Sequence, residues 1–282
     1  MSNISLTASM RSNLLSLQNT QSLMDTTQER LSTGKKVNSA IDNPSSYYTA
    51  QSLNNRASDL SSLLDSMGQA IQTIKAADEG IEAITTFAQQ AKAIAQSAAD
   101  SNDGTERENY RVQFNKILDQ IDELADDAGY KGVNLLKGGN LTVKFSENGS
   151  SLSIEGETAT SAGLGMADGV DWGEADAAAT ADPAAPAKGK YAIEEAMTKV
   201  ETAIAKLRGW SSKFGNNYSI VQNREDFTEN LINVLTEGAD KLTLADMNEE
   251  SANMLALQTR QQLAINSLSL ASQAAQSVLK LF

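Results

Sequence analysis

The feature that most constrains the fold is a seven-residue hydrophobic repeat that persists through every predicted helical segment. Near the start of the chain, the repeat consists of Met10, Leu14, Leu17, Met24 and Leu31. The intervening core positions are filled by Gln21 and Gln28. A repeat of this period places apolar side chains along one narrow face of a helix, as in coiled coils. We therefore expect long helices that pair along narrow seams.

Turn signals divide this pattern into separate helices. Asn43 and Pro44 predict a helix start, because asparagine caps helices and proline suits the first helical position. No strong helix breaker follows until residues 101–104. The Thr-x-x-Glu pattern at 105–108 is typical of a capping box and predicts a second helix that runs back along the first.

The middle of the chain has a different period. Between residues 141 and 155, apolar residues alternate on both sides of an Asn-Gly pair, which predicts a β-hairpin. Residues 158–189 are rich in Ala, Gly, Asp and Pro, which favours a flexible or loosely packed excursion. Helical spacing resumes at Ile193, and the stretch 243–246 contains cap residues for a last helix.

These elements predict a mainly α fold: a long antiparallel coiled-coil-like helical rod with a small β-hairpin and a short central insertion. The expected terminal arms are residues 1–43 and 243–282, which meet as antiparallel partners. The halves of the helical rod are residues 44–145, which include the start of the hairpin, and residues 190–242. Residues 146–189 form the expected acidic surface insertion.

Composition argues against several classes of function. The chain has no His and no Cys, so the commonest general base and the thiolate nucleophile are missing, and we expect no enzyme, cofactor or metal site. A net charge of −13 argues against binding to nucleic acid. No stretch approaches the ~20 apolar residues of a membrane span, and residues 1–18 lack the pattern of a cleaved signal peptide.

The two terminal arms carry few charges and have narrow seams, so a single pair of such helices is marginally stable and needs neighbours. An ordinary intramolecular coiled coil, a ring and a bundle remain alternatives to a filament. Our specific prediction is that eight apolar seam residues drive polymerisation. These residues are Leu14, Leu17, Met24, Leu31, Met254, Leu257, Leu268 and Val278.

Four segments resemble sequence motifs of bacterial flagellins and follow one another in the same order. Residues 31–43 read Leu-Ser-Thr-Gly-Lys-Lys-Val-Asn-Ser-Ala-Ile-Asp-Asn, which resembles the flagellin N-terminal motif. The segments 77–80, 130–136 and 274–282 are similar to further flagellin landmarks. The resemblance covers about residues 1–145 and 190–282.

The resemblance implies an extracellular structural subunit that polymerises into the flagellar filament for motility. It also implies unfolded export through the flagellar type III channel, with the arms in the inner core tube of the filament and the insertion facing outward. The expected partners are other copies of the chain, a secretion chaperone on the C-terminal arm, the filament cap and hook-filament junction proteins. A junction protein and a secreted adhesin or immune ligand are the alternatives.

Some flagellins are detected by an innate immune receptor through an Arg, a Leu and a Glu on inner helices. An approximate alignment places Gln90, Ile94 and Gln113 at these positions. All three residues depart from the activating pattern, so the resemblance predicts weak activation of the receptor.

Overall fold

A computed structural model describes residues 8–166, 168–174 and 188–279. The helices in these residues are α1 (Ala8–Thr33), α2 (Pro44–Asp100), α3 (Gly104–Asp127), α4 (Ser161–Leu164), α5 (Lys190–Thr243) and α6 (Met247–Leu279). The strands β1 (Leu141–Lys144) and β2 (Ser151–Ile154) form one antiparallel hairpin. The predicted mainly α class with a small β-hairpin is therefore confirmed.

The chain divides into two compact units, and each unit combines segments from both halves of the sequence. The terminal unit comprises residues 1–57 and 233–282, so its described part holds α1, the start of α2, the end of α5 and α6. The central unit comprises residues 58–232 and holds the long middle part of α2, α3, the hairpin, α4 and most of α5.

Side-chain caps explain where the long helices begin. The Asn43 side chain accepts a hydrogen bond from the Ser46 backbone N–H at 3.1 Å, so the predicted cap of α2 is confirmed. Helix α6 begins in the same way, because the Asp246 carboxylate accepts from the backbone N–H groups of Asn248 (2.9 Å) and Glu249 (3.3 Å). Each cap satisfies donors that the first turn of a helix leaves without an intrahelical partner.

The predicted capping box at 105–108 is wrong. The residue that caps α3 is Asp103, whose carboxylate accepts from the Thr105 backbone N–H at 3.0 Å. Glu108 pairs with Arg111 instead, and this hydrogen-bonded contact lowers the pKa of Glu108 and raises that of Arg111. An aspartate at the cap position makes the reciprocal glutamate contact unnecessary.

The hairpin adds an apolar face to the core of the central unit. Leu141 is paired with Ile154 and Val143 with Leu152, so all four side chains lie on one face of the hairpin. Ile154 and Val143 are buried. The largest fully buried side chains in this core also include Met67, Ile74, Ile84, Phe114, Leu118, Ile121, Leu135, Leu136, Trp172 and Phe214.

The segment after the hairpin packs tightly where the structure describes it, contrary to the predicted loose excursion. Leu164, Met166 and Trp172 are all buried. The centroids of the Trp172 and Phe114 rings lie 5.1 Å apart. Small and acidic residues dominate the composition of residues 158–189, so composition alone did not indicate the packing of these few large apolar side chains. Part of the predicted insertion therefore belongs to the core of the central unit.

Helix α3 fixes this segment through its side chains. The Asn115 side chain accepts from the Gly169 backbone N–H at 2.7 Å and donates to the Gly169 carbonyl at 3.3 Å. Arg111 donates to the same carbonyl at 3.0 Å, and Arg107 donates to the Glu174 carbonyl at 3.2 Å. The backbone of residues 169–174 is thus held at both ends, with Trp172 between the two contacts.

The chain returns close to this place before α5 begins. The Gly189 backbone N–H donates to the Asp171 carbonyl at 2.8 Å, and Lys188 lies 3.9 Å from Glu174. Next along the chain, Lys190 donates to the Asn102 side chain at 2.8 Å. The two described flanks of residues 175–187 therefore lie side by side.

Substitution of the two tryptophans tests the assignment of residues 168–174 to the core. Replacement of the fully buried Trp172 by Ala should lower the free energy of unfolding by about 3 to 5 kcal/mol. Trp210 is only half-buried, so Trp210→Ala is a matched control with a smaller expected loss. Chemical denaturation followed by circular dichroism gives both values. Equal losses in the two variants would contradict a core role for Trp172.

Candidate polymerisation interface

Helices α1 and α6 pack against each other in the terminal unit as antiparallel partners. Arg30 forms a salt bridge with Glu250, with 2.9 Å between Nη1 and Oε1. Further along the pair, the Gln261 side chain donates to the Gln21 side chain at 2.8 Å. From the first contact to the second, the residue number falls from 30 to 21 along α1 and rises from 250 to 261 along α6. These two contacts therefore define the antiparallel register.

The backbone joins the two halves of the terminal unit next to the helix pair. Lys36 and Val37 donate backbone N–H groups to the Thr243 carbonyl at 2.8 and 3.2 Å, and Ala245 donates to the Gly34 carbonyl at 2.9 Å. Gly34 has a φ of 70°, which a residue without a Cβ adopts readily. The connection between α1 and α2 is therefore fixed to the connection between α5 and α6.

The acidic residue of the N-terminal motif organises its own turn. The Asp42 carboxylate accepts hydrogen bonds from the backbone N–H groups of Asn38 at 3.0 Å and Ser39 at 2.9 Å. These bonds, with that from Ser39 first, lower the pKa of Asp42 below its ordinary value. The charged form of Asp42 therefore stabilises the turn that leads into α2.

Most of the predicted seam residues lie partly covered in this helix pair. The half-buried ones are Leu17, Leu31, Met24, Met254, Leu257 and Leu268. Leu14 is 37% exposed, so it lies at the edge of the pair. The side chain of Val278 lies outside the described residues. The role of these residues in polymerisation stays a prediction.

The polar positions of the α1 seam differ from those predicted. The buried residues are Thr20 and Thr27, whereas Gln21 and Gln28 are exposed. A threonine can pack its methyl group while its hydroxyl bonds within the helix, as Thr20 does by donating to the Ser16 carbonyl at 2.9 Å. The glutamine side chain is longer than that of threonine, and Gln21 reaches its hydrogen-bond partners from the exposed edge of the helix pair.

A second set of apolar residues lies on the sides of α1 and α6 that face away from the seam. We call these residues the outer leucines: Leu15, Leu23, Leu255, Leu263 and Leu270. The three on α6 are 64 to 68% exposed and are spaced by eight and seven residues, which places them on one side of the helix. The seam analysis missed them, because they fall between the seam positions. In the sequence they can be recognised as a second leucine repeat that is displaced from the seam positions.

The charges of the chain are divided unequally between the two units. The terminal unit has eight basic and eight acidic residues, whereas the central unit has 15 basic and 28 acidic residues. The whole net charge of −13 therefore belongs to the central unit. A terminal unit without net charge that exposes leucines is suited to packing against further helices.

The three positions aligned with the immune-receptor pattern lie in the central unit. Gln90 on α2 and Gln113 on α3 are exposed, and Ile94 on α2 is half-buried. The interpretation that they give weak receptor activation stays a prediction.

The described residues contain no group of acidic side chains placed to hold a metal ion. None of the described helices combines the length and apolarity that a membrane span requires.

Comparison with known proteins identifies the family. The chain matches the family model of the bacterial flagellin N-terminal helical region over residues 4–141 and that of the C-terminal helical region over residues 197–282. Flagellins FljM and FljK of Caulobacter vibrioides are each 30% identical to it and align over 95% of the chain and 95 and 94% of their own lengths. A flagellin of Brucella melitensis is 28% identical over 95% of both chains.

The chain belongs to the bacterial flagellin family. Flagellin is a structural protein and not an enzyme: it polymerises into the extracellular filament that serves motility. In this flagellin, the two family models match both partners of the α1–α6 pair. The helix pair with its outer leucines is therefore the candidate interface between copies.

The salt bridge between Arg30 and Glu250 offers a test of how the α1–α6 pair is held. The Glu250 side chain is only 9% exposed, so Arg30→Met leaves a carboxylate without its partner in a poorly hydrated place. We expect a loss of about 1 to 3 kcal/mol, because the 39% exposure of the Arg30 side chain weakens the pair. Amide hydrogen exchange of α1 and α6 in the monomer measures this loss.

The double variant Arg30→Met/Glu250→Gln is the matched control, because it also removes the Glu250 charge that the single variant leaves without a partner. It should recover most of the protection from exchange. If the single and double variants exchange equally fast, the salt bridge does not stabilise the helix pair.

Proposed function

We propose that copies of this flagellin assemble side by side by covering one another's outer leucines. The observation that carries the proposal is the 64 to 68% exposure of Leu255, Leu263 and Leu270 on a helix whose other side is already paired. The chain's own α1 occupies the seam, so the outer side of α6 needs a different partner. In a homopolymer that partner is the terminal unit of another copy.

The seam residues have an indirect role in this proposal. In it, Leu14, Leu17, Met24, Leu31, Met254, Leu257 and Leu268 hold α1 and α6 together. The resulting pair presents the outer leucines of α1 and those of α6 on its two outward sides. Seam and outer leucines therefore both support polymerisation, but only the outer leucines contact the neighbouring copy.

Burial of the outer leucines supplies a favourable free energy that is large enough to contribute to association of copies. Full burial of a leucine side chain contributes about 1.5 to 3 kcal/mol, so covering the exposed two-thirds contributes about 1 to 2 kcal/mol each. Several such residues per copy offset part of the free-energy cost of the translational and rotational entropy lost on association. The absence of net charge on the terminal unit keeps repulsion between neighbouring copies small at this surface.

The exposed leucines of α6 are also a candidate contact for the expected assembly partners. We propose that a secretion chaperone covers the outer leucines of α6 before export, since exposed leucine repeats otherwise favour premature association. We propose that the filament cap and hook-filament junction proteins contact the same surface.

A comparison of Leu263→Asp with Leu257→Asp separates the two roles. Leu263→Asp should leave α1 paired with α6 and yet abolish elongation of filament seeds, because a charge enters the contact between copies. Leu257→Asp should reduce both helix pairing and elongation, because Leu257 lies in the seam. Circular dichroism of the monomer and electron microscopy after seeding provide the two measurements.

Leu263→Met keeps the surface apolar and serves as the control, with elongation close to that of the unchanged chain. Normal filaments from Leu263→Asp would overturn the role of the outer leucines. Short capped rings from the unchanged chain would favour a junction protein over a filament subunit.

The charge of the central unit predicts a dependence on ionic strength. Copies with 28 acidic and 15 basic residues in this unit repel each other when they come close. Raising sodium chloride from about 0.01 to 0.15 M shortens the screening length from about 30 to 8 Å, so the monomer concentration left after assembly should fall. The effect should shrink in a variant with Asp119→Asn, Glu123→Gln and Asp127→Asn. An increase of free monomer with salt would contradict the repulsion.

A further inference from the structure

The turn of the β-hairpin contains the dipeptide Asn148-Gly149, and no other asparagine of the chain is followed by glycine. In such a dipeptide the backbone nitrogen of the glycine can attack the side-chain amide carbon of the asparagine, because glycine has no Cβ to block the approach. Asparagine is one of the thermolabile residues of proteins. The turn therefore has a reactivity that its role in the hairpin does not require.

The Asn148 side chain is exposed to water. Residues 147–150 are all exposed, and the hairpin turn lies at the surface of the central unit. The Asn148 backbone N–H donates to the Ser146 hydroxyl at 3.0 Å. In the part of the chain that the structure describes, the Asn148 side-chain amide makes no hydrogen bond. Its amide carbon is therefore accessible both to water and to the neighbouring backbone.

A single long hydrogen bond holds the attacking nitrogen. The Gly149 N–H donates to the Ser146 carbonyl at 3.2 Å, which is the long end of the range for such bonds. Gly149 has a φ of 88°, and a Cβ at this residue would meet no atom within 4 Å. An exposed loop tip with one weak bond opens at little free-energy cost. The open turn gives the nitrogen access to the amide carbon.

Other asparagines near the hairpin are held by their side chains. Asn140 is also exposed, but its side chain accepts from the Gly156 backbone N–H at 3.3 Å, and Leu141 follows it in the chain. The Asn134 side chain donates to the Ala125 carbonyl at 2.8 Å. These bonds restrict both amides, so the reactive arrangement is confined to the hairpin turn.

We propose that Asn148 is a site of spontaneous deamidation in the folded chain. The Gly149 nitrogen forms a bond to Cγ of Asn148 and gives up its proton, while the side-chain nitrogen leaves as ammonia. The product is a five-membered imide, which water opens at one of its two carbonyls to give aspartate or isoaspartate. One water is consumed and one ammonia is released, so no oxidant or further reactant is needed. The inference does not depend on assembly.

Isoaspartate changes the hairpin more than aspartate does. It routes the backbone through the former side chain and so adds one atom to the turn. In the unmodified hairpin, the Phe145 backbone N–H donates to the Ser150 carbonyl at 2.8 Å and closes this turn. Phe145 is buried in the core of the central unit, so a longer turn disturbs both the closing bond and a core residue. Both products also place a new carboxylate beside Glu147.

Trypsin separates Asn148 from every other side-chain amide. Cleavage after Lys144 and Lys188 yields the fragment 145–188, in which Asn148 is the only Asn or Gln. Cleavage after Lys137 yields the fragment 138–144, in which Asn140 is the only one, so an exposed asparagine of the same hairpin is an internal control. After incubation of the folded monomer for days at neutral pH, a mass gain of about 1 Da should be at least about tenfold more frequent in fragment 145–188. A sample digested without incubation gives the background.

The chain unfolded in urea measures the conversion of the same dipeptide without the turn. We expect the folded chain to convert within about tenfold of that rate, because the turn opens easily. Slower conversion than this in the folded chain would overturn the inference, because the hairpin would then protect the dipeptide. Equal mass gain in the two fragments would also overturn it.

Asn148→Gln is the matched variant, because it keeps an exposed amide whose attack requires a larger ring. An isoaspartyl methyltransferase with labelled S-adenosylmethionine serves as the probe of isoaspartate. It should label the incubated unchanged chain more strongly than the incubated variant, and the Phe145 amide of the labelled form should exchange at least about tenfold faster. Equal labelling of the two chains would contradict formation of isoaspartate at Asn148.

Discussion

The backbone hydrogen bonds between residues 34–37 and 243–245 set the geometry on which the terminal unit depends. They bring together two connections that are more than 200 residues apart in sequence, and they do so beside the point where α1 meets α6. The seam between these helices contains threonine, alanine and glutamine, so apolar contacts alone specify its register weakly. The nearby salt bridge of Arg30 with Glu250 and the more distant contact of Gln21 with Gln261 maintain the same register along the pair.

The separation of charge from apolar surface gives the two units different tasks. A terminal unit without net charge can pack against other copies, because the units do not repel one another. The excess of acidic residues in the central unit favours repulsion between free copies, which apolar contacts have to overcome.

The long helices and the hairpin could be predicted from sequence because their signals are local. A seven-residue repeat, a cap such as Asn43 and an alternating pattern around an Asn-Gly pair need no knowledge of tertiary contacts. The packing of Trp172 against Phe114 could not be predicted, because 57 residues separate them and the composition around Trp172 is typical of a loop. The outer leucines were missed for a different reason: a search for the seam treats every other face of the helix as solvent.

Residues 171–174 and 188–190 lie side by side on the central unit, and this arrangement has an evolutionary consequence. A chain that leaves and re-enters a fold at one point can gain or lose length there without moving either flanking element. The contacts of Asn115, Arg111 and Trp172 act as a fixed base for whatever sequence lies between the flanks. The length and sequence between these flanks can therefore change while the helices on either side keep their packing.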